Sequence, residues 1–375
     1  MRQELNYLLM LFLLFVSCEE IYQPDLENEG GQLVVEARIT NEPTKNIVHL
    51  TQTRNFNDMV PLTEVSGAKV ELIEIKGSKI QSSESSPGFY IFNSMPVSGK
   101  NYFLRIGISG DIYESAEVTM PPLPTITNFS TEHVVEKVYV RNVEGHLQAF
   151  EKPGRVFHAD IPVTKSLSYF RFDVKTIWEW HWDTNPNSRF ETPTAYGWYV
   201  YREKEKFNIA GPKNFSQSDI IEKHPFKTVS YNVYDYIYGD TLYSRTDTLY
   251  TKGCIMVIEQ YGTSKESYEY HEKLNGQFTA VGSLFDPIQT QVFGNIICKT
   301  NAAKIVFGYF DLNSYAQFRY YFNFWEPPGT IIMREIFRYP DIPDTKGMLR
   351  SQPVIGPPDE IPPPLPPPIW WEKPF

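Results

Sequence analysis

Six consecutive residues, WEWHWD from Trp178 to Asp183, bring together the side chains best suited to binding chemistry. In a strand, successive side chains project to opposite faces. Trp178, Trp180 and Trp182 then form one row, and Glu179, His181 and Asp183 form the other. A tryptophan row is a stacking platform for sugar rings, or else the inward face of a core. An acid-His-acid row can hold a divalent cation, or else it is a solvated face whose acids tune the imidazole. The core and solvated readings carry more weight, so the tryptophans are kept as the ligand-binding candidates and no metal site is assigned. Catalytic signatures are not found: there is no G-x-S-x-G, no H-E-x-x-H, no glycine-rich phosphate loop and no Cys-x-x-Cys. His271-Glu272 lacks a second histidine four positions on. A glycosidase needs only two carboxylates, which a chain with 45 acids can supply anywhere. The expectation is a non-enzyme without a cofactor.

The second chemically distinctive residue is Cys18. Leu8 to Val16 is unbroken apolar sequence, too short to span a bilayer but suited to the h-region of a secretory signal. It stops just before Cys18, an arrangement that resembles a bacterial lipobox. There the thiol takes a diacylglyceryl group, and cleavage frees the amine for a third acyl chain. Each buried methylene contributes about 0.8 kcal/mol, so two or more chains anchor stably. Residues 1–17 are thus read as a lipoprotein signal and 18–31 as a polar tether. Glu19 and Glu20 resemble the surface-export signal of Bacteroidetes lipoproteins; two acids can also simply begin a solvated tether. The expected location is the outer membrane, lipid-anchored and facing the cell exterior.

The elements that must position these residues are strands. The chain has 375 residues, 41% of them hydrophobic, which is enough for two cored domains. Its 24 Tyr and 25 Phe favour strands over helices. A net charge of −10 with no long basic run excludes nucleic acid as a partner. LVVEARI alternates, with Leu33, Val35, Ala37 and Ile39 on one face. In NYFLRIGI, Tyr102, Leu104, Ile106 and Ile108 share a face. About seven such strands predict an immunoglobulin-like β-sandwich over residues 32–120. MPPLP, Met120 to Pro124, is a stiff break. A larger β-rich domain follows over 125–338, interrupted by one helix. A capping box at Thr263 to Glu266 starts that helix, and Asn275-Gly276 ends it. A proline-rich tail, 339–375, ends in Trp370, Trp371 and Phe375, expected to dock on the protein's own body.

Residues 259–312 carry ordered motifs: Ser264, Glu266, Tyr268 and Tyr270 as S-x-E-x-Y-x-Y; Gly282 to Pro287 as GSLFDP; Gly294 to Ile296 as GNI; and Gly308 to Phe310 as GYF. In these the chain resembles a Bacteroidetes lipoprotein family known as domain of unknown function 4249. The lipobox and the sandwich fit the same family. The resemblance implies an outer-membrane setting and a TonB-dependent receptor of the nutrient-importing kind as partner; it implies no catalysis. Many members carry extra cysteines, whereas this chain has only Cys254 and Cys298 beyond Cys18. Those two are read as separate buried thiols, since a bond needs α-carbons within about 7 Å. Gly282 and Gly294 are read as supplying backbone angles other residues resist. Phe285 and Tyr309 are read as core anchors. The function expected is a surface binding or accessory subunit of a TonB-dependent import system, with a glycan or peptide ligand. The alternatives are a surface glycan or peptide hydrolase, and an adhesin or structural surface protein.

Overall fold

The computed structural model describes residues 31–54, 61–141, 146–183, 194–202, 207–212, 219–230, 235–238, 241–244, 250–279, 291–322 and 333–335. Cys18 with its tether up to residue 30, the GSLFDP turn and the carboxy-terminal tail lie outside these residues. The first strands are β1 (Leu33–Thr40), β2 (Ile47–Gln52), β3 (Thr63–Glu64), β4 (Lys69–Glu74), β5 (Lys79–Gln81), β6 (Ser83–Ser86), β7 (Phe89–Ile91), β8 (Asn101–Ile108), β9 (Asp111–Ser115) and β10 (Val118–Thr119). Next come β11 (Thr127–Arg141), β12 (Leu147–Pro162), β13 (Tyr169–Asp183), β14 (Thr194–Arg202), β15 (Asn208–Ala210), β16 (Ile220–Ser230), β17 (Asp235–Tyr238), β18 (Thr241–Ser244) and β19 (Tyr250–Thr263). A helix, Lys265–Thr279, precedes β20 (Ile296–Cys298), β21 (Val306–Phe322) and β22 (Met333–Glu335). The protein is mainly β, as its composition predicts.

One long sheet runs through the molecule in the order β14-β13-β19-β21-β1-β2-β7-β6. Two smaller sheets cover successive stretches of it. The sheet β20-β9-β8-β4-β5 closes the first sandwich, around Val35, Leu50, Leu72, Phe92, Leu104 and Phe310. The sheet β11-β12-β16 closes the second, around Phe157, Ile161, Phe170, Phe172, Phe226 and Ile258. The alternation read in the sequence sets these faces. Leu33, Val35, Ala37 and Ile39 are all buried, as are Tyr102, Leu104 and Ile106.

The first sandwich is not contained within residues 32–120. β1 pairs in parallel with the start of β21, from Leu33 opposite Val306 to Thr40 opposite Asn313. β20 pairs with β9, and Ile296, Cys298, Val306, Phe310 and Leu312 belong to the same core. The break at Met120 to Pro124 therefore divides the chain in order only. A sheet edge left by the first strands is covered by strands arriving much later, because unpaired edges are costly.

β21 is the spine. Its even positions face the cores: Val306, Phe310 and Leu312 in the first, Tyr320 in the second. Antiparallel pairing carries its second half beside β19, with Tyr315 opposite Tyr261 and Gln317 opposite Glu259. β13 lies beyond β19, with Arg171 opposite Tyr261 and Asp173 opposite Glu259.

The helix differs from the sequence reading at both ends. Thr263 is still strand, and the cap is Ser264, whose Oγ accepts the Ser267 N–H at 3.1 Å. At the other end the helix continues through Asn275-Gly276 to Thr279. The Asn275 side chain brackets the backbone of Phe207, accepting its N–H at 2.7 Å and donating to its carbonyl at 2.7 Å. A tertiary partner thus overrides the stop signal.

Candidate functional site: a polar seam along the shared strand

The odd face of β21 carries Tyr309, Asp311, Asn313, Tyr315, Gln317 and Arg319. Where β1, β13 and β19 flank it, a seam of charge forms. Arg38 donates to Asp173 at 3.2 Å, joining the first strand of one sandwich to the second sandwich. Lys45, in the short 3-10 turn Pro43–Lys45 after β1, donates to Glu259 at 2.9 Å. Lys175 lies 3.4 Å from the same carboxylate oxygen, and the Gln317 amide donates to it at 3.2 Å. The guanidinium groups of Arg38 and Arg171 both lie over the Tyr261 ring, 5.1 and 4.8 Å from its centroid. The Asn41 side chain clamps the backbone of Tyr315, accepting its N–H at 2.6 Å and donating to its carbonyl at 3.1 Å.

Burial and charge oppose each other here. Burial favours the neutral form of Asp173, but Arg171, Arg38 and Lys45 outweigh it and hold the carboxyl below its usual range. Glu259 is likewise held low, with Lys175 and Lys45 overcoming its burial. The Tyr261 hydroxyl is pushed up, first by burial and then by Asp173. Side chains at the mouth remain open: Arg38 is 39% and Asp173 43% exposed.

Beneath the helix the seam ends in Ser267, His271 and Asp311, residue types that can make an acyl-transfer triad. The wiring is different. His271 Nδ1 is 2.8 Å from the Ser267 carbonyl, so this nitrogen carries the proton. Its Nε2 is 3.0 Å from Arg171 Nη1 and must accept from it. The Ser267 hydroxyl donates to Asp311 instead of to the imidazole. A triad requires the serine proton to reach a free imidazole nitrogen, and all three side chains here are buried. Burial outweighs the upward pull of Asp311 and, with the smaller push of the Arg171 charge, leaves the His271 pKa below its ordinary value. The group fastens the helix to the sheet.

The ordered motifs interlock at the same joint. Tyr270 stacks on Tyr309 with centroids 4.4 Å apart, and Tyr268 tilts against Tyr169 at 5.2 Å. A Cβ on Gly294 would fall 1.7 Å from the Gly308 carbonyl oxygen. Close approach, and not an unusual angle, explains this glycine; Gly308 is the one with positive φ, +87°. Asn295 extends the ladder with its side chain, donating to the Phe310 carbonyl at 2.9 Å and accepting its N–H at 2.8 Å. Tyr309 is buried, as expected of a core anchor.

The tryptophan row falls elsewhere. Trp178, Trp180 and Trp182 lie on the far part of β13, their backbones opposite Tyr199, Gly197 and Ala195 of β14. Their side chains, with those of Glu179, His181 and Asp183, lie outside the described residues, as does the Cys254 side chain. Cys298 is a buried free thiol 3.3 Å from the Thr300 hydroxyl. Among the described residues, no group of three His, Cys, Asp or Glu is placed to hold a metal ion, and no helix is long and apolar enough to cross a membrane. The seam was missed because its members look like ordinary strand residues. A signal existed in β21, where Asp311, Asn313, Tyr315, Gln317 and Arg319 alternate with Leu312, Ser314, Ala316 and Phe318.

No curated protein and no solved structure matches this chain. The sequence profile of one family, described as domain of unknown function (DUF4249), matches residues 19–319. That span takes in both sandwiches, the helix, the glycine contact and nearly all of β21, and the chain belongs to this family.

Proposed function

We propose that this protein is a surface-exposed outer-membrane lipoprotein, attached through Cys18, that serves as a binding or accessory subunit of a TonB-dependent nutrient importer. The observation that carries the binding role is the seam. It sits where two β units join, a place where ligand sites concentrate, and it combines open charge with tyrosine rings. Glycans and peptides are the ligand classes that suit such groups. The anchor rests on the apolar run ending at Cys18, and surface exposure on Glu19 and Glu20. A tether of about a dozen residues keeps the body within tens of ångströms of the membrane. Confinement to one leaflet raises its effective concentration near a receptor, so a modest interface suffices.

The test has two arms. Cys18→Ala should abolish labelling by a palmitate analogue and release the protein from the membrane. The wild-type protein, tagged and solubilised in mild detergent from cells expressing the neighbouring genes, should bring a receptor barrel with it. Normal labelling of the variant would remove the anchor, and recovery of no barrel would remove the accessory role. A hydrolase reading finds no support in Ser267, His271 and Asp311, whose hydrogen bonds are those of a structural clamp.

A further inference from the structure

We infer that the end of the first sandwich where the tether enters seats on the lipid surface, through Leu62, Ile112, Ile297 and Ile305; this goes beyond the binding role proposed above and rests on the Cys18 anchor. The first observation is where the tether ends. The Gly31 N–H donates to the Thr53 carbonyl at 2.8 Å, and β1 starts with Leu33 opposite both Val306 of β21 and Gln52 of β2. Thr63 of β3 also stands opposite Gln52. Val306, Leu33, Gln52 and Thr63 thus make one row across the sheet, and Ile305 and Leu62 are the residues just outside it. Ile305 is 36% and Leu62 51% exposed.

The second observation is that the covering sheet brings apolar side chains to the same end. The Thr300 hydroxyl donates to Asp111 at 2.9 Å and Lys304 pairs with it, so β9 begins beside the segment that leads into β21. On β9, Ile112 is 40% exposed; on β20, Ile297 is 58% exposed. Ile297 stands opposite Glu114, and the Lys299 N–H donates to the Ile112 carbonyl at 2.7 Å. The two isoleucines are therefore diagonal neighbours on the outer face, within reach of each other. Tyr113, Ile296 and Cys298, next to them in the chain, are buried on the opposite face.

The choice of lipid follows from the tether. Twelve residues lie between Cys18 and Gly31. At full stretch such a segment spans about 45 Å, so this end is where an acylated Cys18 ties the body to the membrane. Exposed apolar side chains held near headgroups gain by leaving water for the interface. Charges beside them are already paired: Lys304 with Asp111, Lys69 with Glu71 at 2.8 Å, and Lys299 with Glu114 at 3.9 Å. Lysine stems also let the amino groups stay in water while apolar neighbours sink. The four side chains belong to both sheets, and a fluid surface meets them without needing a matching groove. β1 runs from this end toward Arg38 and the seam. An end seated on lipid therefore turns the seam away from the membrane.

The experiment takes the full mature chain carrying Cys18→Ser, so that no acyl chain assists, and sediments it with phosphatidylcholine vesicles. Saturable binding is expected. Ile112→Ser with Ile297→Ser should weaken it about tenfold and leave the urea midpoint nearly unchanged, since both side chains are exposed. If that variant does not fold, Leu62→Ser alone should weaken binding about threefold. Met95→Ser with Val97→Ser is the control: both are similarly exposed but follow β7 beside Asn46, at the other end of β1, and should change nothing. Absence of vesicle binding overturns the inference, as does an equal loss from the control or no loss from the variant that folds. A lipid-free dimer that the isoleucine variant dissociates would make a second copy the occupant and overturn it. So would loss of a co-purifying receptor barrel from the acylated isoleucine variant, which would give this surface to the receptor. The anchor is read separately, by palmitate labelling at Cys18. Normal wild-type labelling with no vesicle binding overturns this inference alone and leaves the anchor standing.

Discussion

The two sandwiches share a sheet but bury different chemistry. The first is closed almost wholly by apolar side chains, with Thr40, Asn46, Thr51 and Glu71 as its buried polar residues. Around the second, His158, Arg171, Lys227, Glu259, Gln260, Ser267, His271, Asp311 and Arg319 are buried. An apolar core gains stability from removing area from water and tolerates local change gradually. A buried polar network stands only when every member keeps its partner. The first unit is held mainly by apolar burial, and the second adds paired charge at its joint with the first.

The largest effect should come where the comparison collapses, at the strand both units share. Gly308→Ala would press a Cβ to 2.0 Å from the Val35 carbonyl oxygen at a φ of +87°. The atom it meets is backbone and the new Cβ is fixed to the chain, so neither can swing away, and a loss of about 4 kcal/mol or more is expected. Urea unfolding measures it, and a wild-type midpoint would refute the close approach. Next come two single-unit variants. Leu72→Ala empties a fully buried site in the first core, and Asp311→Ala strands Arg171 in the second. Each should cost about 3 kcal/mol, but by different routes. Adding salt or an outside carboxylate should restore part of the loss for Asp311→Ala and none for Leu72→Ala. Identical salt responses would erase the distinction.

Acid should separate the units by a smaller amount. His224 packs at 5.0 Å against Phe172 in the second core, and burial lowers its pKa to about 4. The unfolded chain takes up this proton at an ordinary pKa near 6.5, the folded one only near 4. Stability should therefore fall as pH drops through that window, by about 2 kcal/mol after allowing for the exposed part of the ring. His271, also held low, acts in the same direction. His224→Gln should flatten the urea midpoint against pH between those values; an unaltered slope would place the acid sensitivity elsewhere. The smallest effect belongs to the helix surface. Lys265 and Glu269 are 3.6 Å apart and 61% and 47% exposed. Lys265→Ala should shift stability by less than about 0.5 kcal/mol, and a larger loss in thermal melting would assign this pair a role beyond the surface.

Strand alternation made the first unit legible. Val35, Leu104 and their neighbours sit where period two puts them, because a half-buried sheet writes its faces directly into the sequence. Helix existence was legible too, but its ends were set by Phe207 and by β19 running on through Thr263, contacts remote in the chain. The seam was illegible for a related reason. Arg38, Arg171, Glu259 and Asp311 come from four strands, and no local spacing joins them. The motif glycines gave position without cause: only the fold reveals that Gly294 and Gly308 touch each other. WEWHWD drew attention because its residues are neighbours in sequence, whereas the charges that meet in space are not.

The pairing of β1 with β21 also has a consequence for biogenesis. Asn41 clamps Tyr315 across 274 positions, and Leu33 pairs with Val306. Synthesis delivers the chain amino terminus first, so β1 exists long before β21. The first unit then waits for its last strand until most of the protein has emerged. Contacts so distant fold slowly, since long loops must close before they are rewarded. Until that moment β1 offers an open edge, a template for mispairing with other chains. A chain truncated before residue 306 therefore leaves the first sandwich unclosed as well as the second.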